Sequence, residues 1–306
     1  MQNKNDSSYK SGFVAVVGQP NVGKSTLINA LIGQKIAAVS PRPQTTRKQQ
    51  LGILSLVDAQ IIFTDTPGLH QARHKLGALM NEQAAAALEN TDAVLFVVDA
   101  QSAPNDNDHN LAALIKTLKN PPPIILALNK IDLLDDEAIT QSQLTYQELL
   151  PTALALPISA ARSLNLGQLL EALLNHIPVS PPFYPEEQVT DLYERDIAAD
   201  LIREATLRIL KDEIPHGIAV RVDEYTERDD HGAYIEATLF VERDSQKGIV
   251  IGKAGAMLKQ IGTTARQEIE RMSGRKVFLR LRVKVRKNWR NDENFLRQFD
   301  FKKRKK

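Results

Sequence analysis

The sequence predicts an α/β protein: a doubly wound P-loop domain followed by a smaller α+β domain. Three observations carry that prediction. Apolar runs alternate with helical patterns from Phe13 to about His176. A glycine-bounded loop, Gly18-Gln19-Pro20-Asn21-Val22-Gly23-Lys24-Ser25, stands between the first apolar run and the first helical pattern. Four prolines between Ile177 and Pro185 then separate this region from a segment that reads α-β-β-α-α-β.

Taken in order, the strands of the first region are expected at 13–17, 51–57, 60–64, 93–99, 124–129 and 154–158, with helices at 25–32, 75–89, 108–119, 140–150 and 165–176. The strands are continuously apolar rather than alternating, which fits a sheet covered on both faces. In such a sheet, ligands bind at the carboxyl ends of the strands. Pro121-Pro122-Pro123 stops one helix and introduces the next strand, because proline lacks the N–H a helix needs and restricts the residue before it. In the second region Ile197, Leu201, Ala205 and Ile209 give the helical period over 196–211. Two alternating segments, 217–225 and 233–242, flank Arg228-Asp229-Asp230-His231-Gly232 and read as a hairpin. A short apolar piece at 248–251, the loop Gly252-Lys253-Ala254-Gly255, a helix over 257–275 and a strand over 277–286 complete it. The expected boundaries are a flexible N-terminus at 1–11, a first domain at 12–178, a linker at 179–190, a second domain at 191–287 and a basic tail at 288–306.

Composition narrows the chemistry. The chain has no cysteine, which excludes disulfides, Cys-ligated zinc and a thiol nucleophile. Its polar start carries no signal-peptide pattern, and no apolar run is long enough to span a bilayer, so a cytoplasmic protein is expected. The net charge of +2 hides a split: from Arg243 onward there are 20 Lys and Arg against 6 Asp and Glu, a net of +14, while the preceding residues carry 19 against 31, a net of −12. That asymmetry points the C-terminal part at a polyanion, either nucleic acid or an anionic membrane surface.

The loop Gly18 to Ser25 matches the phosphate-binding pattern G-x-x-x-x-G-K-[ST] in the strand-loop-helix context it requires. Successive N–H groups and the helix N-terminus, which begins with Ser25 and Thr26, would cradle the phosphates. Lys24 would reach the β- and γ-phosphates, and the Ser25 hydroxyl would bind Mg²⁺. Asn129-Lys130-Ile131-Asp132 ends an apolar strand. A carboxylate there accepts both N1–H and the exocyclic amine of guanine, a donor pair that adenine lacks. The Lys130 stem can lie across the base, and Ser159-Ala160 can offer a backbone N–H to guanine O6. Asp65-Thr66-Pro67-Gly68 follows the strand beside the P-loop; its carboxylate can hold Mg²⁺ through water and its glycine N–H can meet the γ-phosphate. Thr46 is placed to add a hydroxyl to Mg²⁺ when a γ-phosphate is present.

The G-x-x-G of Gly252 to Gly255 lies between two helical pieces, after a hairpin and before a strand. That is the type II KH arrangement, whose loop clamps a backbone of about four nucleotides. Gly252, Lys253, Ala254, Gly255 and Lys259 are the expected phosphate contacts, with Ile249, Ile251 and the hairpin strands as a floor for bases. Trp289 and Phe295 are read equally as stacking or as packing residues.

With these motifs in place, the chain resembles the translation-factor class of small GTPases, in its TrmE-Era-EngA-like branch with a C-terminal KH domain. The resemblance rests on Gly18 to Ser25, Thr46, Asp65 to Gly68, Asn129 to Asp132, Ser159-Ala160 and the run from Val241 to Gly255, and it covers nearly the whole chain. It implies a slow, Mg²⁺-dependent GTPase that exchanges GTP and GDP, with Lys24, Asn21, Thr46 and Gly68 as catalytic residues and Ser25, Thr46 and Asp65 around the metal. Leu69 stands where Ras-like enzymes carry the water-orienting Gln. Asn21 resembles the asparagine that coordinates K⁺ in a subset of these GTPases, which makes K⁺ a candidate second cofactor. The implied partners are the 3′ end of 16S rRNA and the 30S ribosomal subunit, with peripheral association at the inner membrane and a monomeric state. A membrane-surface regulatory GTPase is the alternative reading.

Overall fold

The computed structural model describes residues 8–39, 47, 49–68, 74–89, 91–118, 120–210, 217–228 and 232–299. Contacts divide the chain into two compact units, mainly between Asp191 and Leu192.

The first unit holds a six-stranded sheet among the described residues, in the order β2-β3-β1-β4-β5-β6. Its strands are β1 (Lys10–Val17), β2 (Gln50–Ser55), β3 (Ala59–Asp65), β4 (Ala93–Asp99), β5 (Ile124–Asn129) and β6 (Leu154–Pro157). All neighbours pair in parallel except β2, which runs antiparallel to β3. Only the short turn at 56–58 joins these two, and so tight a connection permits only the antiparallel pairing. The helices are α1 (Lys24–Ile32), α2 (Lys75–Ala87), α3 (Asp106–Lys116), α4 (Asp136–Leu149) and α5 (Leu166–Leu174). Every residue of β3 is buried, as are Val14 to Val17 of β1 and Ala93 to Val98 of β4. This two-sided burial is what the continuous apolar runs encode.

In this unit α3 and α4 begin two and four residues earlier than the apolar period indicates. Asn105 caps α3 by accepting the Asn107 N–H at 2.9 Å, and Asp108 closes the capping box by accepting the Asn105 N–H at 3.1 Å. Asp135 caps α4 by accepting the Ala138 N–H at 2.8 Å, so that helix starts at Asp136 rather than at Thr140.

The proline-rich stretch is not a free spacer. The buried Gln60 side chain accepts the N–H groups of Phe183 and Tyr184 at 2.9 and 3.0 Å and donates to the Tyr184 carbonyl at 2.9 Å. Phe183 packs on Phe13 with ring centroids 5.2 Å apart. Leu51 donates its N–H to Asp191 at 2.8 Å, so the strap stays with the first unit to its boundary.

The second unit follows the order α6 (Glu194–Ile209), β7 (Ala219–Arg228), β8 (Gly232–Val241), α7 (Asp244–Ile251), α8 (Ala256–Ser273) and β9 (Lys276–Val285). Its sheet is β7-β8-β9, with β8 antiparallel to β7 and parallel to β9. Ile197, Leu201 and Ala205 of α6 and Ile261, Ala265 and Ile269 of α8 share one core with Ile235, Ala237 and Leu239 of β8.

The region expected as a tail folds through residue 299. Trp289 is buried and donates its indole N–H to the Gly217 carbonyl at 2.8 Å. Phe295, in the short α9 (Glu293–Arg297), is buried against Phe240 at a centroid distance of 5.0 Å. Both aromatics are therefore packing anchors and neither is placed to stack a base.

Candidate nucleotide and RNA sites

The parallel strands deliver the predicted nucleotide residues to one edge of the sheet. The P-loop leaves β1, Asp65 ends β3 opposite Val16, and Asn129 ends β5 opposite Asp99. Two P-loop glycines are required by tertiary contact. A Cβ on Gly18 (φ 147°) would lie 2.1 Å from the Val97 carbonyl oxygen, and one on Gly23 (φ 102°) would lie 2.2 Å from the Asn129 amide nitrogen. Gly68 is equally constrained, since a Cβ there would lie 2.5 Å from the Pro20 nitrogen. The D-T-P-G segment therefore abuts the phosphate loop, and Thr66 pins it by donating to the Val16 carbonyl at 2.8 Å. Pro67 is buried in the same turn.

Lys24 is buried, and its ammonium donates to the carbonyls of Gly18 and Gln19 at 3.0 and 2.8 Å. Burial lowers its pKa to about 8, opposed by the attraction of Asp65. A phosphate group here would restore the charged form. Ser25, which with Thr26 lies in the first turn of α1, donates its hydroxyl to the buried Asp65 carboxylate at 2.8 Å. Two hard oxygens side by side suit Mg²⁺, an ion usually held by one or two protein ligands plus phosphates and water. No cluster of three or more His, Cys, Asp or Glu that could cage a metal occurs among the described residues. Asn21 adopts φ 68°, a left-handed conformation that asparagine tolerates better than most side chains.

Further contacts, from Gln19, Lys130, Ser159 and Asn129, brace the site beyond what the motifs indicate. Gln19 donates its side-chain amide to Asp108 and accepts from Asn105 at 3.2 Å, tying the P-loop to the start of α3. Burial raises the Asp108 pKa. The Asn-x-x-Asp capping pattern was the available signal. Lys130, at φ 72°, holds the Asp99 carboxylate at 2.5 Å. Ser159 donates its hydroxyl to Asp132 at 2.6 Å and so orients the carboxylate expected to meet guanine. Asn129 braces both sides of the pocket, donating to the Val22 carbonyl at 2.8 Å and accepting the Ala160 N–H at 2.9 Å. Of the Ser159-Ala160 N–H groups expected for guanine O6, that of Ser159 donates to the Leu164 carbonyl at 3.2 Å and that of Ala160 to Asn129. Thr46 and Leu69 lie outside the described residues.

In the second unit α7 ends at Gly252, whose φ of 72° and ψ of 176° turn the chain sharply. A Cβ at Gly252 would meet Met257 Cβ at 2.7 Å. Lys253 is exposed, Ala254 sits at φ 50° and Gly255 at φ 79°, and α8 then presents its N-terminus. The Gly252 and Gly255 N–H groups are held within the turn, by the Gly248 carbonyl at 2.8 Å and the Gly252 carbonyl at 3.2 Å, while Lys253 projects from it ahead of the α8 N-terminus, an end that favours negative charge. Beside it runs a cleft of about 320 Å³ between α8 and β9, lined by Leu258, Lys259, Gly262, Arg266, Leu279 and Leu281 among others. The base floor differs from expectation. Ile249 and Ile251 do not line the cleft: Ile251 packs on the core and Ile249 is exposed on α7. The apolar surface comes from α8 and the edge strand β9, and not from the hairpin, because β9 is the strand that flanks α8.

A P-loop with an Asn-Lys-x-Asp motif following a nearby strand, joined to a type II KH fold, defines a GTPase of the translation-factor class with an RNA-binding module. A family model described as "50S ribosome-binding GTPase" matches residues 13–130, and one described as "KH domain" matches residues 213–290. The chain is 43% identical over 295 residues to GTPase Era of Staphylococcus haemolyticus, covering 96% of this chain and 98% of that one. It therefore belongs to the Era family of GTPases. Among solved structures it superimposes on Era in complex with MgGDPNP and nucleotides 1506–1542 of 16S ribosomal RNA with a TM-score of 0.91, 38% identity and coverage of 96% and 99%. A variant of Aquifex aeolicus Era bound to GDP and AlF₄⁻ gives a TM-score of 0.89, 37% identity and coverage of 95% and 99%.

Proposed function

We propose that this GTPase is a nucleotide-gated RNA-binding switch that engages the 3′ end region of 16S rRNA and assists assembly of the 30S subunit. The observation that carries it is one chain holding both glycine loops, each backed by its specificity element: Asp132 oriented by Ser159 in one unit, and the cleft along α8 in the other. Lys24 and the P-loop N–H groups bind and orient the phosphates. Ser25 and Asp65 hold Mg²⁺, which supplies charge neutralisation at the β- and γ-phosphates when bound. Gly68 supports the γ-phosphate side because its backbone lies against Pro20. The related Era structures contain the Mg²⁺ complex of a GTP analogue and a 16S rRNA fragment, which supports both assignments.

Asn21 would hold a K⁺ ion, whose charge would serve the transition state as an arginine finger otherwise does. GTP turnover is then expected to rise when Na⁺ is exchanged for K⁺ at constant ionic strength; equal rates in both salts would remove K⁺ from the mechanism.

The alternative of a peripheral inner-membrane role draws on the same basic C-terminal excess. Lys276, Arg280, Arg282 and Lys284 alternate along β9, whereas a membrane-surface helix sets its basic face against a wide apolar one. No helix among the described residues is long and apolar enough to cross a membrane. The RNA reading is preferred, in a cytoplasmic monomer. Its test is RNA affinity measured with GDP, with a non-hydrolysable GTP analogue and without nucleotide. Distinct affinities are expected by linkage, and three identical values would refute gating.

A further inference from the structure

The open face of the second unit's sheet carries a feature that neither glycine loop uses. Phe278 on β9 is 65% exposed. It pairs in register with Tyr234 on β8, their rings stacked at 5.7 Å and 11°. The Arg228 guanidinium lies 5.0 Å from the Tyr234 ring centroid. Arg228, Tyr234 and Phe278 thus form a column across β7, β8 and β9, ending at the sheet's edge strand. On β9 the exposed positions alternate, so Lys276, Arg280, Arg282 and Lys284 share this face with Phe278. Glu236 takes Arg282 at 2.8 Å and Arg280 at 3.6 Å and accepts the Tyr234 hydroxyl at 3.1 Å, Asp223 takes Arg221 at 2.8 Å, and Glu224 lies opposite Glu236. Against these carboxylates the face carries Arg221, Arg228, Lys276, Arg280, Arg282 and Lys284, which leaves a positive excess.

The fold covers the other end of this face and stops. Phe295 and Phe299 close over Phe240, and Gln298 accepts from Arg221 at 3.1 Å. Cross-strand stability accounts for the ring pair, but not for a large exposed aromatic flanked by alternating cations. Aromatic rings on an open sheet with basic neighbours are a physical means of stacking bases while holding the backbone. Residues two apart on a strand stand roughly 7 Å apart, a step that an extended single strand can follow. The cleft lies between α8 and this same edge strand, with Leu279 and Leu281 pointing into it.

We propose that the Phe278–Tyr234 column and the β9 cations form a second single-stranded RNA subsite, which takes nucleotides that continue past the cleft over the β9 edge. Phe278 stacks a base, and Arg280, Arg282 and Lys284 meet phosphates. This rests on the RNA-binding reading above, and it goes further in assigning a site outside the G-x-x-G cleft.

The test uses the full chain and two labelled single-stranded RNAs at fixed salt: one of about four nucleotides, the length a KH cleft holds, and one of about twelve with the same core. Phe278→Ala is expected to weaken the longer RNA about tenfold and to leave the shorter one unchanged, while Phe278→Trp retains the parent affinity. Arg280→Gln with Arg282→Gln should lower the salt slope for the longer RNA by about 0.7 per arginine. Parent-like binding of the longer RNA by Phe278→Ala, or equal losses on both RNAs, overturns the subsite. Loss of sedimentation with phosphatidylglycerol vesicles while both RNA affinities persist assigns the face to lipid and also overturns it. Gly252→Asp reads the cleft separately through the shorter RNA, so failure of the cleft reading and failure of the subsite are distinguishable.

Discussion

Replacing Gly252 by Asp is expected to abolish single-stranded RNA binding while GTP binding survives. Two effects act together. The native φ of 72° lies where a residue bearing a Cβ is strained, at a cost of about 1–3 kcal/mol, and that Cβ would press into Met257 at 2.7 Å. The loop must shift, and the new carboxylate then faces the phosphate it should receive. Losing the clamp of a four-nucleotide cleft is expected to cost upwards of about a hundredfold in affinity, since each stacked base alone contributes roughly 1–3 kcal/mol. Fluorescence anisotropy with a short RNA reads the loss, and titration with a fluorescent guanine nucleotide checks the other unit. RNA affinity equal to the parent would refute the KH site.

Asp132→Asn should have a comparable effect on the nucleotide. On the proposed reading, the Asp132 carboxylate, oriented by the Ser159 hydroxyl at 2.6 Å, accepts two guanine N–H groups. Charged hydrogen bonds of this kind contribute about 1.5–3 kcal/mol each, so losing them lowers GTP affinity about a hundred- to ten-thousandfold. The amide introduces a donor where guanine also donates, but where xanthine presents a carbonyl. Xanthosine triphosphate should therefore bind the variant better than GTP. Titration of both nucleotides checks this, and an unchanged preference for GTP would remove Asp132 from base selection.

Much of the nucleotide site was legible because its chemistry is local. Gly18, Lys24 and Ser25 are tied together by a loop whose spacing is set by the phosphates, and Asp65 and Asn129 stand at the ends of apolar runs. The strand-helix alternation followed from burial on both faces. Where reading failed, a distant partner decided the outcome. Gln60 looks like an ordinary strand residue until it meets the backbone of Phe183 and Tyr184. Trp289 and Phe295 look available for stacking until Gly217 and Phe240 cover them. Ile249 and Ile251 flank the G-x-x-G in sequence, yet the helix between β8 and the loop turns them away from the cleft.

The two-unit plan, the phosphate loop, the Asn-Lys-x-Asp motif and the second glycine loop are all legible in residue order alone. Each depends on residue types at short, chemically imposed spacings. Packing within each unit set which surfaces adjoin each loop. It lined the cleft along α8 with Leu258, Leu279 and Leu281 and left Phe278 exposed beside Tyr234. Strand pairing brings residues more than forty positions apart into register, and no local pattern records which of their faces the helices will cover.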